Sequence, residues 1–519
     1  MSIHGKRVLT RIIFNLSQLF YFLRKIMLRK KRMLTIKLMA AQADSVYTRY
    51  IENGKRTQIM SVAQNTFPLS ELMISLTTAL DMTEGQPPEH CIRCCWIGMH
   101  IGMQLELNEP ELHDLFFTLL LKDAGCSSNA ARICELYATD DLTFKRRYKT
   151  VGTSLSSVIN FIVKNTGSEQ SWTERILTTI DILKNGNDYA QELIQTRCTR
   201  GADVARELRF SEAVAQGIHS LDEHWNGQGR PEQRKGEAIP LFSRIALLAQ
   251  VFDVFQMEHS IEEALQEIMA RSGVWFDPKL VEVVELLVEN PRFLSGLKAT
   301  DISQRVMNLP PAQAHLPLDD AYLECIVTAF GKIVDAKSPY TAGHSERVAV
   351  YTDLIARQLV ISDADRIWLR RAALLHDIGK LGVSNAILDK PGKLDEVEWR
   401  AVQAHAAYTE QILYKLSPFK TLARMAGAHH EKLDGTGYPR GVNGDEISLM
   451  TRIITTADIF DALSAERPYR AAMPIDKALA IMEENLHTAI DPECFAALKK
   501  ALNLLPDEYT QLPHSSDKT

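Results

Sequence analysis

An internal repeat constrains this chain more than any other feature. Residues 223–231 read EHWNGQGRP and 244–255 read RIALLAQVFDVF, while 431–439 read EKLDGTGYP and 452–463 read RIITTADIFDAL. Gly227 and Gly229 match Gly435 and Gly437, Pro231 matches Pro439, Arg244 matches Arg452, and Asp253 matches Asp461. Upstream, His90 precedes Lys122-Asp123-Ala124-Gly125-Cys126 by the same 32 residues that separate His344 from His376-Asp377-Ile378-Gly379-Lys380. A chain patterned this way is a duplication, so both halves are expected to share one architecture.

That architecture is all-α. Across 60–505, apolar residues recur at three- and four-residue spacing with few period-two runs, as in Leu318–Val334, Glu346–Leu359 and Ala364–Leu375. Loops are marked by Lys390-Pro391-Gly392, Asp434-Gly435-Thr436-Gly437 and Arg467-Pro468. The pattern predicts two related helical bundles in tandem, 60–300 and 319–505. A linker at 301–318 separates them, marked by Asn308-Leu309-Pro310-Pro311, because adjacent prolines cannot continue a helix. A polar tail occupies 506–519.

Residues 1–43 differ from the rest: they carry ten Lys or Arg and no acid. Their apolar stretch 12–23 is broken by Asn15, Ser17 and Gln18, and is too short for a membrane span of about 20 residues. A basic helix lying on an anionic membrane is one reading. The favoured one is a loose tail, or upstream sequence with Met33 or Met39 as the start. The net charge of -6 argues against a DNA or RNA polymer as partner, since such binding needs a basic surface. The eight cysteines are scattered, which fits a reducing cytoplasm better than a disulfide scaffold. Cys91 and Cys94 form a lone CxxC beside His90 and are expected to be buried helix residues, not a zinc site.

The second half concentrates side chains that hard or borderline metals prefer: His344, the pair His376-Asp377, His405, the pair His429-His430, and Asp458. Each lies in or at the end of a helix-like segment, so a bundle can aim them all inward. Two metal ions about 3.5–4 Å apart use this many ligands, and clamp a phosphoryl group while activating a water. Taken singly, His344 or His405 is more often a satisfied core residue. His376-Asp377 followed by Gly379-Lys380 is harder to dismiss, because two ligands and a cation follow the apolar run 372–375. Together the set points to metal chemistry.

These motifs, with Asp434-Gly435-Thr436-Gly437-Tyr438-Pro439, resemble the HD-GYP subgroup of the HD phosphohydrolase superfamily over about 319–505. Pro339–Ser345 and Ala457–Leu463 fit the same family. The resemblance implies HD-type bundles and hydrolysis of a cyclic dinucleotide in bacterial second-messenger signalling. Cyclic di-GMP, opened to pGpG and onward to GMP, is the first expectation, with the mixed cyclic GMP-AMP as the alternative. Two readings compete: an HD phosphohydrolase for another nucleotide, and a non-catalytic cyclic-dinucleotide sensor or interaction protein.

By the same resemblance, His344, His376, Asp377 and Asp458 hold one metal. Asp377, His405, His429 and His430 hold the second, with the Asp377 carboxylate bridging. Lys380 is expected to neutralise phosphoryl charge in catalysis, and Arg467 and Arg470 to bind phosphate through their guanidinium forks. Family members of a three-metal type carry a Glu four residues before the first His. Tyr340 stands there in this chain, so two divalent ions, iron or manganese, are expected.

The first copy lacks this set. His90 and Asp123 match His344 and Asp377, but Lys122 replaces His376, Arg197 replaces His405, Leu221 replaces His429 and Gln250 replaces Asp458. Asp222 matches His430, Cys126 stands at Lys380 and Arg230 at Tyr438, while the register across 127–195 stays open. Cations at Lys122 and Arg197 oppose metal binding. The expectation is a catalytically dead copy serving as a dimerisation surface, a regulatory pocket or a structural partner.

Overall fold

Both copies are built on the same helical frame. The computed structural model describes residues 68–151, 155–167, 170–313, 319–415, 419–466 and 471–504. The two tails and the residues Arg467 and Arg470 lie outside that set. The first copy contains α1 (Leu69–Thr83), α2 (His90–Gln104), α3 (Glu109–Leu121), α4 (Asp141–Tyr148), α5 (Trp172–Glu207), α6 (Glu212–His219) and α7 (Leu241–Glu258). The second contains α8 (Asp320–Asp335), α9 (His344–Gln358), α10 (Asp363–Leu375), α11 (Glu396–Tyr414), α12 (Lys420–Gly427) and α13 (Leu449–Ser464). No β-strand occurs among the described residues, and none of their helices is long and apolar enough to cross a membrane.

Local chemistry sets the ends of these helices. Asn108 and Glu111 close a capping box on α3, Asp395 and Glu398 close one on α11, and Ser362 caps α10 through the Asp365 amide. Apolar stripes then decide the packing. In α13, Ile453, Ile454, Ala457 and Phe460 are buried at helical spacing, and α9 packs against both α10 and α13. The counterparts α2, α3 and α7 pack in the same way.

One apolar core runs continuously through both copies. The stretch expected as a linker joins it. Ile302–Met307 forms a helix and Pro310–Gln313 a 3-10 turn, with Val306, Leu309 and Ala312 buried. The Ser70 hydroxyl of α1 donates to the Ala312 carbonyl at 2.5 Å. The paired prolines end the helix, but the apolar residues around them keep the segment in the core.

The copies differ chiefly in one insertion. Asp123 and Arg197 are 74 positions apart, whereas Asp377 and His405 are 28 apart, so the first copy carries 46 extra residues there. These fold into α4 with its neighbours Ala130–Tyr137 and Leu155–Asn165, and lengthen α5. Ile133, Tyr137, Phe144, Phe161 and Ile182 give them a small core of their own.

Candidate metal centre

The seven residues singled out in the second copy converge. His344 opens α9, His376 and Asp377 follow α10, His405 lies in α11, His429 and His430 follow α12, and Asp458 lies in α13. All but half-buried His430 are buried. Four imidazoles are held at Nδ1: His344 by Asp461 at 2.7 Å, His376 by the Ala373 carbonyl at 2.7 Å, His405 by the Val402 carbonyl at 2.5 Å and His429 by the Ala426 carbonyl at 2.5 Å. An Nδ1–H donated to each acceptor aims Nε2 into the site, where it can serve as a metal donor once it carries no proton.

The Asp377 carboxylate lies between two imidazole groups. Its Oδ2 is 3.3 Å from His344 Nε2 and 3.3 Å from His376 Nε2. Its Oδ1 is 3.4 Å from His405 Nε2 and 3.7 Å from His429 Nε2. Asp458 Oδ1 joins the first group, 3.4 Å from His344 Nε2. The ligand atoms of His344, His376 and Asp458 lie within 4.8 Å of one another, as do those of His405, His429 and His430.

Buried polar atoms without partners are costly, and three of them meet here: His344 Nε2, His376 Nε2 and Asp377 Oδ1. A metal ion satisfies all three, so the residues fit the group their pattern suggested. Electrostatics agree. Burial and the neighbouring Lys380 lower His405 to about 4 against the pull of Asp377, and burial with His405 lowers His430 to about 3, so both are neutral, as ligands must be. Burial opposes a charge on His376 too, but Asp377 and Asp458 outweigh it and raise that imidazole to about 10. The carboxylates thus draw positive charge into the pocket.

Lys380 Nζ rests on Asp377 Oδ2 at 2.5 Å, at the edge of a cavity of about 70 Å³ that Tyr340 also lines. The Tyr438 ring leans on His430, 4.8 Å between ring centres. Its loop is fixed by the Glu431 carboxylate, which accepts from the Arg440 amide at 2.7 Å and the Val442 amide at 3.1 Å. A Cβ on Gly437 would stand 2.3 Å from the Lys432 nitrogen, so only glycine lets the loop close.

Several working residues carried no assigned role from the sequence. Asp461 orients His344 and is itself gripped by Arg347 Nε at 2.6 Å, and Asp335 accepts from the Ser345 amide at 3.1 Å. The signal was in the repeat: Asp81, Arg93 and Asp253 stand at the same three positions of the first copy. There His90 Nδ1 meets Asp253 at 2.7 Å, Arg93 Nε meets it at 2.7 Å, and Asp81 accepts from the Cys91 amide at 2.9 Å. Glu223 likewise accepts from the Glu232 amide at 2.6 Å and the Arg234 amide at 2.9 Å.

Within that retained frame the first copy holds an ammonium where the second has ligands. Lys122 Nζ pairs with Asp123, lies 3.1 Å from His90 Nε2 and donates to Gln250 Oε1 at 3.2 Å. Arg197 is salt-bridged to Asp222, removing that carboxylate as a ligand. Gly125 lies against the Arg197 carbonyl as Gly379 lies against that of His405, a hypothetical Cβ being 2.0 Å from the oxygen in each case; this supports the equivalence of Arg197 and His405. Cys91, Cys94 and Cys95 are buried in α2.

A helical bundle with a buried histidine–aspartate centre of this kind fits a metal-dependent phosphohydrolase. The family model for the HD domain matches residues 169–280 and 329–494, more than half of the chain. The chain belongs to the HD domain family, in its HD-GYP group. The 3'3'-cGAMP-specific phosphodiesterase 3 of Vibrio cholerae serotype O1 is 99% identical over 460 residues, covering 89% of this chain and 100% of that protein. The 3'3'-cGAMP-specific phosphodiesterase 2 of the same organism is 39% identical over 315 residues, 59% of this chain and 56% of that protein. The cyclic di-GMP phosphodiesterase response regulator RpfG of Xanthomonas campestris pv. campestris is 34% identical over 174 residues, 33% of this chain and 46% of that protein. A crystal structure of a cyclic GMP-AMP specific phosphodiesterase of V. cholerae matches with a TM-score of 0.60 at 90% identity, covering 86% of this chain and 100% of that one.

Proposed function

We propose that this chain is a phosphodiesterase that hydrolyses 3',3'-cyclic GMP-AMP, using two metal ions held in its second copy. The observation that carries the chemistry is the Asp377 carboxylate, with one oxygen facing His344 and His376 and the other facing His405 and His429. The near-identical relative favours the mixed dinucleotide over cyclic di-GMP, which was the first expectation from the motifs. Iron or manganese suits the mixed imidazole and carboxylate set. Bound there, the pair of ions supplies Lewis-acid charge at the phosphoryl group and lowers the pKa of a water.

The chain's own residues prepare the rest. Asp461 and the three carbonyls hold the imidazoles in one tautomer before any ion arrives. Lys380 presents an ammonium at the cavity edge, where charge develops on the phosphoryl oxygens. Arg467 and Arg470 remain the proposed phosphate contacts. The first copy is proposed to be non-catalytic, since Lys122 neutralises Asp123 and occupies the ligand cluster. A cytoplasmic location and a homodimer belong to the same proposal, with the first copy as a dimerisation surface, a regulatory pocket or a structural partner.

Purified protein loaded with iron(II) or manganese is to be incubated with each cyclic dinucleotide and the products resolved by chromatography. Turnover of the mixed dinucleotide well above that of cyclic di-GMP is expected, with about two ions per chain by elemental analysis. A protein that binds but does not open any cyclic dinucleotide would be a sensor, and the proposal would fail.

A further inference from the structure

The insertion in the first copy packs behind the wall of the cavity in the second. Asp141 opens α4 and is fully buried. Its Oδ1 accepts from the Asn385 amide at 2.8 Å and from the Ser384 hydroxyl at 3.1 Å. Its Oδ2 faces Lys337 Nζ at 3.5 Å and Lys145 Nζ at 3.8 Å. Lys145, from α4 itself, is also satisfied by the Thr83 and Cys126 carbonyls at 3.0 and 3.1 Å. Lys337 is buried too, and Asp141 is the one carboxylate paired with it among the described residues.

A relay leads from that carboxylate to the metal ligands. Asn385 Nδ2 donates to the Lys337 carbonyl at 2.7 Å and to Asp389 Oδ2 at 2.7 Å. Asp389 Oδ1 accepts from the Ser338 hydroxyl at 2.5 Å, and that hydroxyl accepts from the Tyr340 amide at 3.2 Å. The Thr341 hydroxyl donates to the Asp335 carbonyl at 2.9 Å, and the Thr341 carbonyl accepts from the amide of His344 at 2.9 Å. Lys337, Ser338, Tyr340 and Asp389 line the 70 Å³ cavity together with Asp377 and Lys380. Asp141 therefore grips both chain segments, 337–341 and 384–389, that contribute to the cavity wall beside Asp377.

We propose that Asp141 is a positioning residue for the active site of the other copy: it holds the cavity wall on which the substrate rests. It touches no reacting atom, so its removal is expected to weaken substrate binding more than the chemical step. The inference rests on the proposed cyclic dinucleotide activity for its kinetic readout alone.

The test uses the full chain and two variants, Asp141→Asn and the double variant Asp141→Leu/Lys337→Met. The single variant keeps an oxygen for the Asn385 amide and the Ser384 hydroxyl, while the double variant removes both charges of the pair, so the two do not share one cause of misfolding. For the metal-loaded proteins, KM for 3',3'-cyclic GMP-AMP is expected to rise at least about tenfold while kcat falls less than about threefold. That KM shift is the size of one lost binding contact. Metal content stays at the wild-type value, and amide exchange at 337–341 and 384–389 accelerates. A folded variant with wild-type KM and wild-type exchange overturns the proposal. So does a loss of kcat and metal content at unchanged KM, which would mark Asp141 as scaffold only. If the wild type opens no cyclic dinucleotide, the functional proposal falls separately, and the exchange at those two segments alone decides the role of Asp141.

Discussion

At matching corners of the two copies stand His376 and Lys122, each followed by an aspartate and each facing a histidine that a second aspartate holds at Nδ1. Around them nearly everything is shared: the arginine grip on that aspartate, the glutamate-organised loop, and the glycine pressed against a neighbouring helix. What differs is the source of positive charge at the centre. The second copy gathers imidazoles and carboxylates that need an external cation, and the first supplies its own as an ammonium. The frame and the metal site are thus separable, because the frame has persisted where the ligands have not.

The largest expected contrast comes from the central carboxylates. Asp377→Ala should lower turnover by about 10⁴-fold or more, since ligands acting as a unit fail together. Asp123→Ala should leave the turnover of folded molecules intact but cost about 3–5 kcal/mol of stability in urea titration, because a buried ammonium loses its partner. Equal catalytic losses in both variants would break the distinction. Next in size, Lys122→Met should destabilise by about 3 kcal/mol through the opposite orphan, the Asp123 carboxylate. A neutral effect would mean that water reaches this site.

Asp461→Asn should weaken metal affinity about 10- to 100-fold, read by competition with a chelator, because the His344 tautomer is no longer enforced. Asp253→Asn should leave metal affinity unchanged. The smallest effect, and the sharpest for the comparison, is a gain. Lys122→His with Gln250→Asp rebuilds a four-ligand set with His90 and Asp123, and should add about one weakly bound ion per chain by elemental analysis. No gain would show that the retained frame has closed around the lysine.

The cluster of candidate ligands is legible in the sequence because residue type and spacing mark it directly. The helical periodicity of Ala364–Leu375 likewise predicts α10. The outer positions are half legible: Asp461 repeats Asp253, but its task depends on α13 packing on α9 and bringing it to His344. The segment 301–313 reads as a spacer because two prolines do end a helix, while the burial of Leu309 and Ala312 depends on what packs above them. Asp141 is invisible for the same reason. Nothing near it in sequence hints that Lys337, 196 residues away, is its partner.

The ammonium of Lys122 also acts as an evolutionary ratchet. Rebuilding a metal site there takes several changes together: the lysine that Asp123 and Gln250 share must go, and ligands are needed at 197, 221 and 250 as well. Several coordinated substitutions separate the first copy from the ligand set of the second. Selection can then reshape that copy for other duties without the old chemistry re-emerging by chance.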